Sequence, residues 1–176
     1  MKVNKLVMGS LSTNCYIVVD ELSGLGAVID PAVYNEELLT AVKNSGMTKL
    51  AYIFLTHGHS DHILGVYDLK AAYKDARVVI GTDDDICLTS SACSLASDLG
   101  LSQHPMHADT CVSDNDKLQF GSTEVTVIHT PGHTPGSVCY LMGNIMFSGD
   151  TLFCRTCGRT DLFRGSHTDM MESVLK

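Results

Sequence analysis

Basic residues are scarce in this 176-residue chain: 12 Lys and Arg stand against 20 Asp and Glu, a formal net charge of −8. Proteins that bind nucleic acid gather positive patches to meet phosphates, so this balance argues against a nucleic-acid partner. Long apolar runs are also missing. No stretch reaches the roughly eighteen apolar residues of a membrane-spanning helix, and Met1-Lys2-Val3-Asn4-Lys5 is not followed by an apolar segment of signal-peptide length. No membrane partner is expected, and the cytoplasm is the expected setting. A disulfide framework is lacking as well, because the seven cysteines (15, 87, 93, 111, 139, 154 and 157) are odd in number. Cys15, Cys87 and Cys139 lie in apolar runs and read as reduced core residues. Cys154-Arg155-Thr156-Cys157 is a CxxC, but no second such pair exists to complete a zinc cluster, and it reads as two loop cysteines. No repeat, linker or low-complexity segment divides the chain. Residues 1–176 are therefore expected to form one domain, long enough to bury about two thirds of its unfolded surface.

What is present is concentrated in six residues, His57-Gly58-His59-Ser60-Asp61-His62. Three imidazoles and a carboxylate this close repel or compete for water unless a cation gathers them. Histidine tracts in disordered tails pick up metal adventitiously. This one follows the apolar run Leu50-Ala51-Tyr52-Ile53-Phe54-Leu55 and opens a helix-like segment. A buried strand would deliver the hexapeptide to the carboxyl end of a sheet, where open α/β sheets place their sites. Gly58 is expected to let the backbone turn tightly between two ligands. The hexapeptide reads as a metal site.

Two later segments fit the same site. The strand-like Val125-Thr126-Val127-Ile128 leads into His129-Thr130-Pro131-Gly132-His133-Thr134-Pro135-Gly136, a loop stiff enough to aim one histidine. Asn144-Ile145-Met146-Phe147-Ser148-Gly149-Asp150 sets an acid just after a short apolar strand, and a carboxylate there can bridge two cations through its two oxygens. Apolar and β-branched enrichment predicts further strands near 2–8, 14–20, 26–30, 77–81, 117–121, 123–128, 137–142 and 144–148. Helices are predicted over 35–45, 62–74, 83–98 and about 170–175, the last capped by Ser166 or Thr168. The acids Asp83-Asp84-Asp85 lack the spacing of a calcium loop and read as helix N-terminal charges. Residues 100–116 read as irregular, with His104 and His107 in solvent. Helices between strands in the first half and tight turns in the second suggest two sheets with helices outside.

This set of residues resembles the metallo-β-lactamase superfamily of metal-dependent hydrolases. The matching positions are His57, His59, Asp61, His62, His133 and Asp150, in that order and in their expected local contexts. Thr130 to Ser137, Ser148-Gly149-Asp150-Thr151-Leu152-Phe153 and Gly158-Arg159-Thr160-Asp161-Leu162 resemble the small hydroxyacylglutathione hydrolase (glyoxalase II)-like branch. The resemblance implies an α/β fold, the four-layered αββα sandwich. It also implies a two-metal centre. His57, His59 and His133 would hold one cation, Asp61 and His62 a second, and Asp150 would bridge them. Zinc is the default, with iron or manganese as alternatives.

The implied activity is hydrolysis of a small acyl substrate, a thioester first, by a metal-bound hydroxide that Asp61 holds and orients. His129 would support its loop, with Thr130 and Thr134 in supporting hydrogen bonds. Arg155 and Arg159 are candidates to meet an anionic substrate. Alternatives are an iron-dependent persulfide dioxygenase-like oxidation and a metal-binding scaffold without turnover. The family pattern also calls for one more histidine after the last helix. The only histidine beyond Asp150 is His167, which precedes a helix-like run. The expectation is that the chain is a shortened form lacking its last strand and helix elements, so that the first site fills more tightly than the second.

Overall fold

The computed structural model describes residues 1–176 and contains two packed sheets. The first has six strands in sequence order: β1 (Lys2–Met8), β2 (Thr13–Val19), β3 (Leu25–Ile29), β4 (Lys49–Phe54), β5 (Arg77–Gly81) and β6 (Thr110–Val112). The first three pair antiparallel, and β3 to β6 run parallel. The second sheet is an antiparallel set, ordered β10-β9-β8-β7, from β7 (Lys117–Phe120), β8 (Thr123–His129), β9 (Val138–Met142) and β10 (Ile145–Phe147). A small hairpin follows, β11 (Leu152–Phe153) and β12 (Thr156–Cys157).

The parallel strands are apolar on both faces because both faces are covered. Val28, Ile53, Val78 and Ile80 point toward Leu38 and Val42 of α1 (Glu36–Asn44) and Leu69 of α3 (Val66–Ala72). Their neighbours in the strands, Ala27, Ile29, Phe54 and Val79, pack on Val125, Val127, Tyr140 and Phe147 of the second sheet. Alternation with a period of two thus builds two separate cores from one sheet. Asp20 ties the sheets together at the edge, accepting from the Ser122 N–H at 2.7 Å and the Ser122 hydroxyl at 2.8 Å.

The helices depart from the sequence reading. The predicted 62–74 helix is broken into α2 (Ser60–Ile63) and α3, because Gly65 donates its N–H to the Pro31 carbonyl at 2.9 Å. A Cβ at Gly65 would lie 2.6 Å from that oxygen. The predicted 83–98 helix is only α4 (Asp85–Thr89), after a single 3-10 turn at Thr82–Asp84. Serines 90, 94 and 97 hydrogen-bond to nearby backbone and compete with helix continuation. Leu95 and Gly100 then adopt left-handed conformations. Strand β6 lies in the segment read as irregular. The terminal helix, α5 (His167–Val174), begins where expected, with the Ser166 hydroxyl accepting from the Asp169 N–H.

Candidate metal centre

Every histidine and carboxylate singled out by the sequence for metal binding arrives at one end of the sandwich. The hexapeptide follows β4, Asp150 follows β10, and His133 sits in the loop between β8 and β9. His57, His59 and His133 form one group, and His57, His62 and Asp150 a second. Within each, the ligand atoms all lie within 4.8 Å of one another. Asp150 joins the two, with Oδ1 3.4 Å from His62 Nε2 and Oδ2 3.4 Å from His133 Nε2. Asp61 lies beside them, its Oδ2 3.4 Å from His62 Nε2.

The hydrogen bonds around the rings determine which nitrogen faces inward. Thr56 donates its hydroxyl to Asp30 Oδ2 at 2.7 Å, so toward the His57 Nδ1 atom 3.2 Å away it acts as acceptor. His57 is then protonated at Nδ1, and its Nε2 carries a lone pair. That Nε2 atom is buried with no hydrogen-bond partner, a cost the fold sustains only if something else satisfies it. His133 Nδ1 donates to the Arg159 carbonyl at 2.7 Å, which leaves its Nε2 as an acceptor. His62 Nδ1 donates to Asp30 Oδ2 at 3.0 Å and turns its Nε2 toward Asp61 and Asp150. His59 Nδ1 faces His133 Nε2 at 2.8 Å.

Electrostatics sort the same rings. Burial, and then the neighbouring imidazoles, hold His57 well below its usual range. Burial and His133 bring His59 down to about 4. Both are neutral, the form that ligates a cation. At His62 burial opposes the charge, but Asp30 and Asp150 outweigh it and lift the ring to about 10. Burial likewise works against ionised Asp150, and the hydrogen bond from His62 outweighs it, so the carboxyl stays below its usual value. The neutral rings of His57 and His59, a spanning carboxylate and an inward lone pair with no partner fit a cation of the zinc or iron kind. A second cation at His62 would have to displace the proton that Asp30 and Asp150 hold on that ring.

The sequence reading missed four residues that hold this arrangement. Asp30 directly follows the buried Ala27-Val28-Ile29, the same strand-then-acid pattern that marked Asp150. Thr56 and Thr13 carried no signal; the Thr13 hydroxyl donates to Asp61 Oδ2 at 2.7 Å. Asp84 belongs to the acid run read as helix charges, and that reading is corrected. Its fully buried carboxylate accepts from the Gly58 N–H at 2.8 Å, the Thr134 hydroxyl at 2.6 Å and the Gly136 N–H at 2.9 Å. It staples the hexapeptide to the His133 loop. Asp84→Ala is expected to lower stability by at least about 2 kcal/mol, since each orphaned buried donor costs about 1–3 kcal/mol. Urea unfolding measures this, and an unchanged midpoint would show the staple to be idle.

The remaining residues fall into place individually. Gly58 is not in a left-handed conformation, so its role is closeness rather than turning: a Cβ there would lie 2.4 Å from the Cβ of Cys87. His129 Nε2 donates to the Pro135 carbonyl at 2.8 Å and braces its loop. Thr130 bonds to Thr151 rather than to a histidine. Arg159 lies at the rim of the centre and grips Asp161 with Nε and Nη2 at 2.7 and 2.8 Å. Arg155 is exposed in the left-handed turn between β11 and β12. His107 is exposed and touches Asp85 at 2.8 Å, His104 stacks on Tyr67, and His167 is exposed at the start of α5. No helix is long and apolar enough to cross a membrane.

The fold and this donor set define a metallo-hydrolase class. The family model of the Metallo-beta-lactamase superfamily matches residues 8–176, and the chain belongs to that superfamily. Hydroxyacylglutathione hydrolase of Bartonella quintana is 36% identical over 162 residues, a match that covers 91% of this chain and 55% of that enzyme. Among solved structures, BLEG-1 B3 metallo-beta-lactamase superposes with a TM-score of 0.91 at 32% identity, over 99% of this chain and 84% of its own. TTHA1623 in a di-iron-bound form superposes with a TM-score of 0.83 at 29% identity, over 98% and 84%.

Proposed function

We propose that the chain is a metal-dependent hydrolase of a small acyl substrate, first a thioester, with zinc as its cation and iron as the alternative. The observation that carries this reading is Asp150, whose two oxygens each lie 3.4 Å from the Nε2 of a different histidine. His57, His59 and His133 would hold one cation, Asp61 and His62 another, with Asp150 between. Bound there, the cations would supply Lewis-acid polarisation of a carbonyl and acidification of a water. The chain's own residues do the positioning. Asp30 and Thr56 fix the His57 and His62 tautomers, the Arg159 carbonyl fixes that of His133, and Thr13 anchors Asp61 Oδ2 so that the other oxygen can accept from the attacking water. The hydroxyacylglutathione hydrolase relative supports an acyl substrate, and the di-iron form of TTHA1623 supports iron as the alternative. The seven free thiols and the acidic balance support a cytoplasmic, small-molecule setting without nucleic acid.

Elemental analysis of protein purified without added metal or chelator, paired with thioester hydrolysis, tests the reading. The expected result is one to two ions of zinc or iron per chain and hydrolysis that chelation abolishes. Bound iron with oxygen uptake on a glutathione persulfide would replace hydrolysis by oxidation. Bound metal without turnover on any ester, thioester or lactone would reduce the chain to a scaffold.

A further inference from the structure

Beside the histidine cluster lies a cavity of about 480 Å³, within the size range of small-molecule sites. Its floor is the centre itself, His59, Asp61, His133 and Asp150. Its walls are Leu11, Leu95, Leu99, Leu162 and Phe163. They come from three separate places: the β1–β2 turn, the segment after α4, and the stretch before α5. Leu11, Leu99 and Phe163 expose 58%, 50% and 61% of their surface. Single exposed leucines are ordinary, but apolar side chains converging from three loops on one cleft mark a surface that something apolar covers.

The charges at the rim restrict what that is. Asp98, Arg159 and Asp161 are its charged groups. The Arg159 guanidinium is engaged in a bidentate pair with Asp161, and Asp98 tips the rim negative. An anionic arm gains nothing there. A second cavity of about 540 Å³ shares Leu11, Asp61 and Asp150 with the first and continues on the far side, past Thr13, Asn14 and Ser148. A substrate lying across the centre therefore meets an apolar side at the first cavity. At the second it meets a mixed lining, in which Tyr16, Phe147, Leu152 and Phe153 stand among the polar groups.

We propose that the Leu11–Leu99–Phe163 cavity is a specificity subsite for an uncharged, apolar substrate arm, of the class of a medium-length aliphatic or phenyl-bearing acyl group. This rests on the hydrolytic reading above and deepens it, since a small hydroxyacyl group or an anionic thiol carrier leaves these walls uncovered.

The test uses zinc-loaded protein and the straight-chain carboxylates from acetate to octanoate. Dissociation constants come from calorimetry, alongside kcat/KM for the matching S-acyl-N-acetylcysteamine thioesters. Each added methylene is expected to tighten binding by about threefold to fourfold while the chain still meets the wall. Hydrolysis should rise in parallel. The double variant Leu99→Ser with Phe163→Ser, at two exposed positions that folding does not depend on, should flatten that dependence. Binding that is flat along the series overturns the subsite even if every thioester is cleaved. Chain-length-dependent binding with no cleavage of any thioester retains the subsite and removes the hydrolytic reading.

Discussion

Asp150→Ala is expected to leave the protein with fewer bound ions than the parent and to lower turnover by at least about 10³-fold, equivalent to about 4 kcal/mol of barrier. The expectation follows from one carboxylate serving two groups of histidines, with an oxygen 3.4 Å from each. Its removal takes a ligand from both. It does not take the tautomers: His57 stays fixed through Thr56, and His133 through the Arg159 carbonyl. Their lone pairs, with His59, still offer one cation three neutral nitrogens, so metal content should fall without vanishing. Folding should survive, because His62 retains its bond to Asp30 at 3.0 Å. Asp150→Asn keeps the shape and one oxygen and should fall between the two. Unchanged metal content with turnover within tenfold of the parent would mean that the cations sit elsewhere.

The centre was legible in the sequence because its chemistry is packed into short stretches that strand ends deliver. The hexapeptide after β4, His133 in its proline-glycine loop and Asp150 after β10 each announce themselves locally. The plan of two sheets with helices outside was legible for a similar reason, since the central strands β3 to β5 and β9 carry apolar runs. The support beneath the centre was hidden. Asp30 reaches His62 across 32 positions, and Asp84 reaches Gly58 and Gly136 across 26 and 52. No local pattern distinguishes such an acid from a helix charge; only its burial does. Gly58 looked like a turn residue and is a packing residue, because its need for space is set by Cys87, far along the chain. The 83–98 helix failed through competition: serine hydroxyls and Asp84, both free to serve a helix in the sequence, are spent on tertiary and local bonds instead. Strand β6 is only three residues long and exists by its pairing with β5, which propensity does not record.

Asp61→Asn is expected to lower kcat by about 10²- to 10⁴-fold, the usual worth of a positioned proton acceptor. KM and the melting temperature should change little. The separation of effects follows from where Asp61 stands. Its side chain is 22% exposed, in the cleft rather than the core, so its charge is not something the fold requires. Its Oδ2 accepts from Thr13 at 2.7 Å, and asparagine preserves a carbonyl oxygen for that bond. What asparagine loses is the negative charge, with which Asp61 would both help hold the second cation and orient a water. A deficit confined to kcat marks a group acting on the reaction rather than on substrate binding. Thr13→Val distinguishes the carboxylate from its anchor. Valine leaves the charge and removes only the bond that fixes the rotamer, so its effect should be near tenfold. If Thr13→Val costs as much as Asp61→Asn, placement rather than charge limits the rate. Turnover that survives Asp61→Asn would remove Asp61 from the reaction altogether.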